Sequence, residues 1–156
     1  MKTHTAPKTA KPKAAGKKRK SKFDIGSFDL KVKRSRAGLG LFTFSDIPKG
    51  SCIIEYRGPI LTKQQEEDSN SLYLFDAGGG VTIDGSVRWN TARYINHSCR
   101  PNAEIDIYKH RVYVMAKRTI KAGEELNYDY DTDYFEAYIK PKGCVCDKCR
   151  EKTGKK

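Results

Sequence analysis

No stretch of this 156-residue chain approaches the roughly 18 consecutive apolar residues that a membrane-spanning helix needs. The N-terminus also lacks the apolar core of a secretory signal. Membrane insertion and Sec-type export are therefore not expected, and the chain reads as intracellular. No glycine-rich loop leads into a helix N-terminus of the kind that cradles phosphate. Gly38-Leu39-Gly40 follows basic residues and precedes an apolar strand, which is the pattern of a tight turn. No nucleophile-elbow pattern is present, so Ser/His hydrolase chemistry around His97 and Ser98 has no support. Long helical periodicity is missing, and strands do not alternate with long helices. Those two absences exclude a helix bundle and a Rossmann-type cofactor domain.

Acidic residues are absent from residues 1–22, which hold nine Lys or Arg and Met1 as their sole large apolar residue. Such a segment cannot bury enough apolar surface to offset the entropy of ordering, so a disordered tail is expected over 1–22. Without it, 22 basic face 19 acidic side chains, so the net charge of +12 belongs mostly to the tail. The tail reads equally as a solubilising arm, a nucleic-acid-binding arm or, through Lys17-Lys18-Arg19-Lys20, a nuclear localisation signal.

From Phe28 onward the signals are short strands. Cys52-Ile53-Ile54-Glu55-Tyr56 is a compact apolar run between turn residues and reads as a buried strand, with Cys52 a small core residue. Thr62-Lys63-Gln64-Gln65 has the form of a capping box opening a short polar helix to about Asn70. Leu72–Phe75 and Val81–Asp84 flank three glycines as a hairpin would. Ile105 and Ile107 alternate on one side of Lys109-His110, and Val112 and Val114 on the other, predicting a second hairpin.

Three cysteines in Cys144-Val145-Cys146-Asp147-Lys148-Cys149 cannot all pair internally, and Cys-x-Cys strains a disulfide. A structural zinc ion needs four soft ligands, and Cys99 is the natural fourth; a redox or incidental cluster is the alternative. Asn96-His97-Ser98-Cys99 packs amide, imidazole, hydroxyl and thiol into four residues, and reads either as a functional loop or as a turn with a satisfied core histidine. Tyr128-Asp129-Tyr130, with Tyr134 and Tyr138 beyond, reads either as ordinary packing or as a phenol-lined channel suited to an amine and a cation.

In order along the chain, these pieces resemble the SET-domain protein-lysine methyltransferases, in a compact stand-alone form with a short post-SET-like cysteine cluster. The resemblance runs from Arg36-Ala37-Gly38-Leu39-Gly40-Leu41-Phe42 through Glu55-Tyr56-Arg57-Gly58, Tyr73-Leu74-Phe75 and Ala92–Asn102. It continues to Ala122–Tyr130 and ends on the C-terminal cysteines. It implies a mainly β fold of several small curled sheets, short helices and a knot-like C-terminal crossing. The expected layout is a SET domain over 28–131, a C-terminal helix and zinc-binding segment over 132–151, and a flexible basic end over 152–156.

The resemblance further implies methylation of a lysine side chain of a protein, with S-adenosylmethionine as methyl donor and one structural zinc ion. Carried over, Ala37, Gly38, Leu39, Tyr73, Arg93, Asn96 and His97 bind that cofactor. Tyr130 is the catalytic tyrosine, with Tyr56 and Tyr128 lining the lysine channel, and Tyr128 biases the product toward monomethylation. Zinc falls to Cys99, Cys144, Cys146 and Cys149. The chain departs from the family pattern at Pro59, in the tight cysteine spacing, and in having no aromatic residue after Cys149. The implied partners are a histone, histone-like or ribosomal protein, and nucleic acid through the tail, with no membrane; the place is the cytoplasm, or the nucleus on chromatin. A basic chromatin-binding protein with an inactive SET-like scaffold is the rival reading.

Overall fold

The computed structural model describes residues 20–154, so most of the 1–22 tail and the last two lysines of the 152–156 end lie outside the described residues. Among the described residues, ten short strands follow in order: β1 (Leu30–Ser35), β2 (Gly38–Thr43), β3 (Cys52–Tyr56), β4 (Ile60–Leu61), β5 (Leu74–Asp76), β6 (Thr82–Asp84), β7 (Asn96–His97), β8 (Ala103–Tyr108), β9 (Arg111–Ala116) and β10 (Asn127–Tyr128). Helical pieces are brief: α1 (Lys63–Glu67), α2 (Thr132–Tyr134), α3 (Asp147–Thr153), a π turn over Phe135–Ile139, and 3-10 turns at Thr91–Tyr94 and Lys140–Lys142. The strands form four small sheets: β1-β2, β3-β9-β8, β4-β6-β5, and β7 beside β10. This is the mainly β architecture of small sheets and short helices that the sequence predicts. No helix among the described residues is long and apolar enough to cross a membrane.

The central strand β9 is apolar on both faces because both are covered. Val112, Val114 and Ala116 point into the main core with Leu41, Ile47, Ile53, Ile95, Ile120 and Leu126. Tyr113 and Met115 point the other way, into a second cluster with Cys52 and Phe23. Phe23 stacks on Tyr108 and Tyr113, with ring centroids 4.7 and 4.8 Å apart, and Lys22 pairs with Asp106 at 2.5 Å. The end of the expected tail is thus fastened to the outer face of this sheet. Burial pushes the Cys52 thiol up to about 11, in keeping with an unreactive core residue.

Both predicted hairpins are present. β8 and β9 pair from Ala103↔Ala116 to Tyr108↔Arg111, and Lys109 and His110 take positive φ of 49° and 58°. That double left-handed turn matches strand twist but is costly without glycine. His110 recovers part of the cost by bonding its Nδ1 to the Gly78 carbonyl at 2.9 Å. Around the three glycines, β5 and β6 pair from Leu74↔Asp84 to Asp76↔Thr82. The capping box at Thr62 forms as predicted, but α1 ends at Glu67 because it buries no side chain that would prolong it toward Asn70. At the other end α3 runs to Thr153 and closes on Gly154 in the left-handed conformation.

Candidate active site

Two distant segments run side by side in the middle of the molecule. β7 and β10 pair in parallel, Asn127 with Asn96 and Tyr128 with His97, and the Ser98 amide donates to the Tyr128 carbonyl at 3.0 Å. A reciprocal clasp reinforces this crossing. The Asn102 amide donates to Asn127 Oδ1 and the Asn127 amide to Asn102 Oδ1, both at 3.0 Å, while Asn102 Nδ2 donates to the Glu125 carbonyl at 2.8 Å. Asn102 is 2% exposed, so all of these bonds lie away from competing water. The knot-like crossing therefore rests on side-chain amides, since a two-residue ladder alone is marginal.

On one side of the crossing lies a cavity of about 470 Å³ lined by Tyr56, Tyr73, Phe75, Ile105, Tyr128, Tyr130 and Tyr134, among others. Tyr56 Oη donates to the Tyr73 carbonyl at 2.8 Å and Tyr130 Oη to the Ile95 carbonyl at 2.6 Å. Both phenol protons are spent on backbone, which leaves both oxygens as acceptors toward the cavity. The Tyr128 hydroxyl has no protein partner among the described residues. Burial pushes all three phenols above their ordinary value, with neighbouring carboxylates and phenols adding to the shift, so none ionises near neutrality. Gly85 is required here because a Cβ would collide with the Tyr56 ring.

On the other side lies a cavity of about 710 Å³. Of the residues expected at the cofactor, Ala37, Leu39, Tyr73, Arg93, Asn96 and His97 line it, and Gly38 sits between two of them with φ +113°. Tyr130, Tyr73, Arg93, Tyr134 and Leu72 border both cavities, so Tyr130 stands in the wall between them. The Arg93 guanidinium lies 4.2 Å above the Tyr73 ring and donates to the Ser86 carbonyl, while its Nε is buried without a partner. A buried donor without an acceptor is costly, and the packing on Tyr73 and the bond to Ser86 hold the guanidinium there nonetheless. The Asn96 amide nitrogen is within bonding distance of the Leu39 carbonyl (2.9 Å), Glu125 Oε1 (2.8 Å) and Ser35 Oγ (3.2 Å). With two hydrogens it satisfies two of these at a time; the bonds to Leu39 and Ser35 tie the β1-β2 turn to the crossing, and the bond to Glu125 lies within the crossing itself. A cavity of this size with the aromatic faces of Tyr73, Tyr130, Tyr134 and Tyr138 in its lining fits S-adenosylmethionine, whose sulfonium is a cation.

The sulfurs of Cys99, Cys144, Cys146 and Cys149 all lie within 4.8 Å of one another. Zn–S bonds of about 2.3 Å to tetrahedral corners would place sulfurs about 3.8 Å apart. Cys99 Sγ is 3.7 Å from Cys149 Sγ and 4.0 Å from Cys144 Sγ, so the donor set fits a structural zinc ion. Burial opposes ionisation at Cys146, but hydrogen bonds from the backbone of Cys99 and Cys149 outweigh it and bring that thiol to about 7. His97 joins the cluster to the crossing. Its Nδ1 accepts from the Tyr130 amide at 3.1 Å, which leaves the proton on Nε2, 3.2 Å from Cys99 Sγ. The ring is 4% exposed and packs against Tyr130 and Phe135 at 5.4 and 5.0 Å. Burial pushes its imidazole down against the opposing pull of Asp129, so the neutral form suits both bonds.

Sequence reasoning offered Tyr134 and Tyr138 only as part of a phenol-lined channel beside Tyr128 and Tyr130, and gave the acidic lining residues no role. Tyr134 and Tyr138 form an aromatic ladder from Tyr130, with centroids 5.3 and 4.8 Å apart, and with Ile139 and Val145 they wall the larger cavity. Their clustering after Tyr130 was the only signal. Asp76, Asp129, Asp131 and Asp133 border the smaller cavity, and nothing in the sequence brings Asp76 to the other three. Glu125 and Asn102 sit within the quoted motifs, but their bonds depend on the crossing itself.

A family model described as "SET domain" matches residues 38–131. The chain is 37% identical over 127 residues to histone-lysine N-methyltransferase trr of Drosophila melanogaster, covering 73% of this chain and 5% of that protein. It is 34% identical over 124 residues to the H3 lysine-36-specific histone-lysine N-methyltransferase of Schizosaccharomyces pombe, covering 71% of this chain and 15% of that one. Among solved structures, KRYPTONITE in complex with mCHG DNA and SAH is similar at a TM-score of 0.58 and 35% identity, over 68% of this chain and 24% of that chain. The chain thus spans a small fraction of the length of these relatives, and the family match over 38–131 takes in the crossing of β7 and β10 and most of the lining of the smaller cavity. On the family match and these identities, the chain belongs to the SET-domain family.

Proposed function

We propose that this domain transfers a methyl group from S-adenosylmethionine to a lysine side chain of a protein. The observation that carries the reading is Tyr130 in the shared wall, its proton committed to Ile95 and its oxygen open as an acceptor. When bound, the cofactor supplies a methyl carbon on a sulfonium sulfur, and an in-line attack by a neutral amine breaks the C–S bond with its electron pair left on sulfur. The chain's part is alignment and desolvation. A lysine amine has a reference pKa of about 10.4, and burial among the rings of Tyr56, Phe75 and Tyr128 lowers it. Its proton is released to water. The oxygens of Tyr56 and Tyr130 accept N–H from the neutral amine and aim its lone pair at the wall. Since burial keeps both phenols protonated, they orient without adding negative charge that would restore the ammonium.

In this reading Ala37, Gly38, Leu39, Tyr73 and Arg93 hold the cofactor. Asn96 holds the turn that carries three of them, and His97 holds Tyr130. Cys99, Cys144, Cys146 and Cys149 bind zinc, which fastens the segment 132–151 onto the SET domain at 28–131. The histone methyltransferase relatives and the basic arm support a histone or another nucleic-acid-associated protein as substrate, in the nucleus or wherever such proteins gather. The arm over 1–22 contacts polyanions. A filter assay with labelled cofactor and a Lys-rich protein tests the activity: Tyr130→Phe should abolish transfer while lowering stability by only about 1 kcal/mol, the worth of one buried hydrogen bond. Equal transfer by both proteins would refute it, and salt-sensitive DNA binding without any transfer would favour an inactive scaffold.

A further inference from the structure

The mouth of the phenol-lined cavity is negatively charged. Asp76, Asp129, Asp131 and Asp133 border it, and all four are exposed. Among the described residues none of them pairs with Lys or Arg; Asp129 meets only His97 Nδ1 at 3.4 Å, and Asp131 caps α2. Among the described residues that line it Arg93 is the one cation, and its guanidinium is packed on Tyr73 and bonded through Nη1 to Ser86, with Nε buried. Deeper in, the Tyr128 hydroxyl lies on the same lining without a protein partner among the described residues. The cavity is therefore built for a cationic chain that ends in an amine.

The same chain carries such a segment. Residues 1–22 hold eight lysines, one arginine and no acid. We propose that this N-terminal arm is itself a substrate, methylated at lysines between Lys2 and Lys20. The proposal rests on the methyl-transfer reading above. Lys22 pairs with Asp106 at 2.5 Å beside the stacked Phe23, which places the base of the arm on the outer face of the sheet and leaves the lysines before it to reach the cavity. Ile105 lines the cavity and the next residue, Asp106, points to the opposite face of β8, so the arm leaves from the outer face of the strand that walls the cavity and has to pass round the sheet to reach it. Twenty residues of extended chain reach up to about 65 Å. A domain of this size is only about 35 Å across, so length does not limit the arm's access. Each transfer forms one Nζ–C bond as one C–S bond breaks, the electron pair stays on sulfur, and the amine proton goes to water. The methylated lysine keeps its positive charge, so contact with a polyanion survives the modification.

The full chain is incubated with S-adenosylmethionine, together with Tyr130→Phe and with an unrelated Lys-rich peptide in the same tube, and all are mapped by tandem mass spectrometry. Expected are methyl groups on arm lysines of the wild type only, with yield falling as salt shortens the screening length from about 30 Å at 0.01 M to 3 Å at 1 M. Each rim carboxylate about 8 Å from a lysine changes affinity roughly twofold in water. The double variant Asp76→Asn/Asp133→Asn should therefore raise KM for a synthetic 1–22 peptide roughly fourfold at low salt. A methylated peptide beside an unmodified arm overturns the proposal and leaves the methyl-transfer reading standing. So does arm methylation that persists in Tyr130→Phe, or a KM the rim variant does not move. If neither peptide nor arm is methylated, both readings fail.

Discussion

Replacing His97 in two ways separates the two bonds its ring makes. The amide oxygen of asparagine falls where Nδ1 lies, so His97→Asn keeps an acceptor for the Tyr130 amide and loses the N–H facing Cys99 Sγ at 3.2 Å. The amide nitrogen of glutamine reaches where Nε2 lies, so His97→Gln keeps the donor to sulfur and leaves the Tyr130 amide unpaired. Both variants also lose ring contacts with Tyr130 and Phe135, a shared cost of about 1–2 kcal/mol. Loss of an outer-shell bond to a metal ligand typically weakens metal binding 10–100-fold. His97→Asn should accordingly release zinc to a colorimetric chelator 10–100 times more readily while kcat falls little. Leaving a buried amide unpaired costs about 1–3 kcal/mol, and a displacement of about 1 Å in an aligned site costs about 100-fold in rate. His97→Gln should therefore lose roughly 100-fold in kcat while retaining zinc. Calorimetric titration with S-adenosylhomocysteine serves as a check that the larger cavity persists in both. If zinc retention and kcat fall together in both variants, His97 is only a packing residue and the division of labour is wrong.

Tyr128→Phe removes the hydroxyl that has no protein partner and widens the channel, so di- and trimethyl product should rise; an unchanged product distribution by mass spectrometry rejects that role. Gly40→Ala would drive a Cβ into the Glu125 carboxylate and force it from Asn96, at about 1.5–3 kcal/mol for a charged hydrogen bond. Both Tm and affinity for S-adenosylhomocysteine should drop, and a variant with neither change would refute the clamp. The Arg118 guanidinium, bonded at 2.6 Å, holds the Glu124 carboxyl below its ordinary value. The folded protein therefore takes up that proton at lower pH than the unfolded chain. The stabilisation is complete above about pH 4.5 and drains away as pH falls through the folded value. Glu124→Gln should flatten this part of the acid limb in denaturant titrations, and an unaltered slope would count against the pair.

Local patterns in the sequence specify much of this protein. The alternation on either side of Lys109-His110 sets the β8-β9 hairpin, because pairing depends on neighbouring residues and side-chain period. Thr62 and Gln65 set the start of α1, because a capping box closes within four residues. The excess of charge in residues 1–22 is likewise plain from composition. The family resemblance, carried by motif order, also set Asn96 and His97 beside the Tyr128–Tyr130 segment, and β7 and β10 do run side by side. What each of these side chains touches was decided only by tertiary structure. Asn96 turned out to grip the β1-β2 turn, and the phenol protons of Tyr56 and Tyr130 go to the carbonyls of Tyr73 and Ile95. Asp76 meets Asp129, Asp131 and Asp133 only around a shared cavity. Such partners lie 17 to 57 residues apart. Their meeting depends on the parallel crossing of β7 and β10, a long-range pairing that no local propensity or spacing encodes.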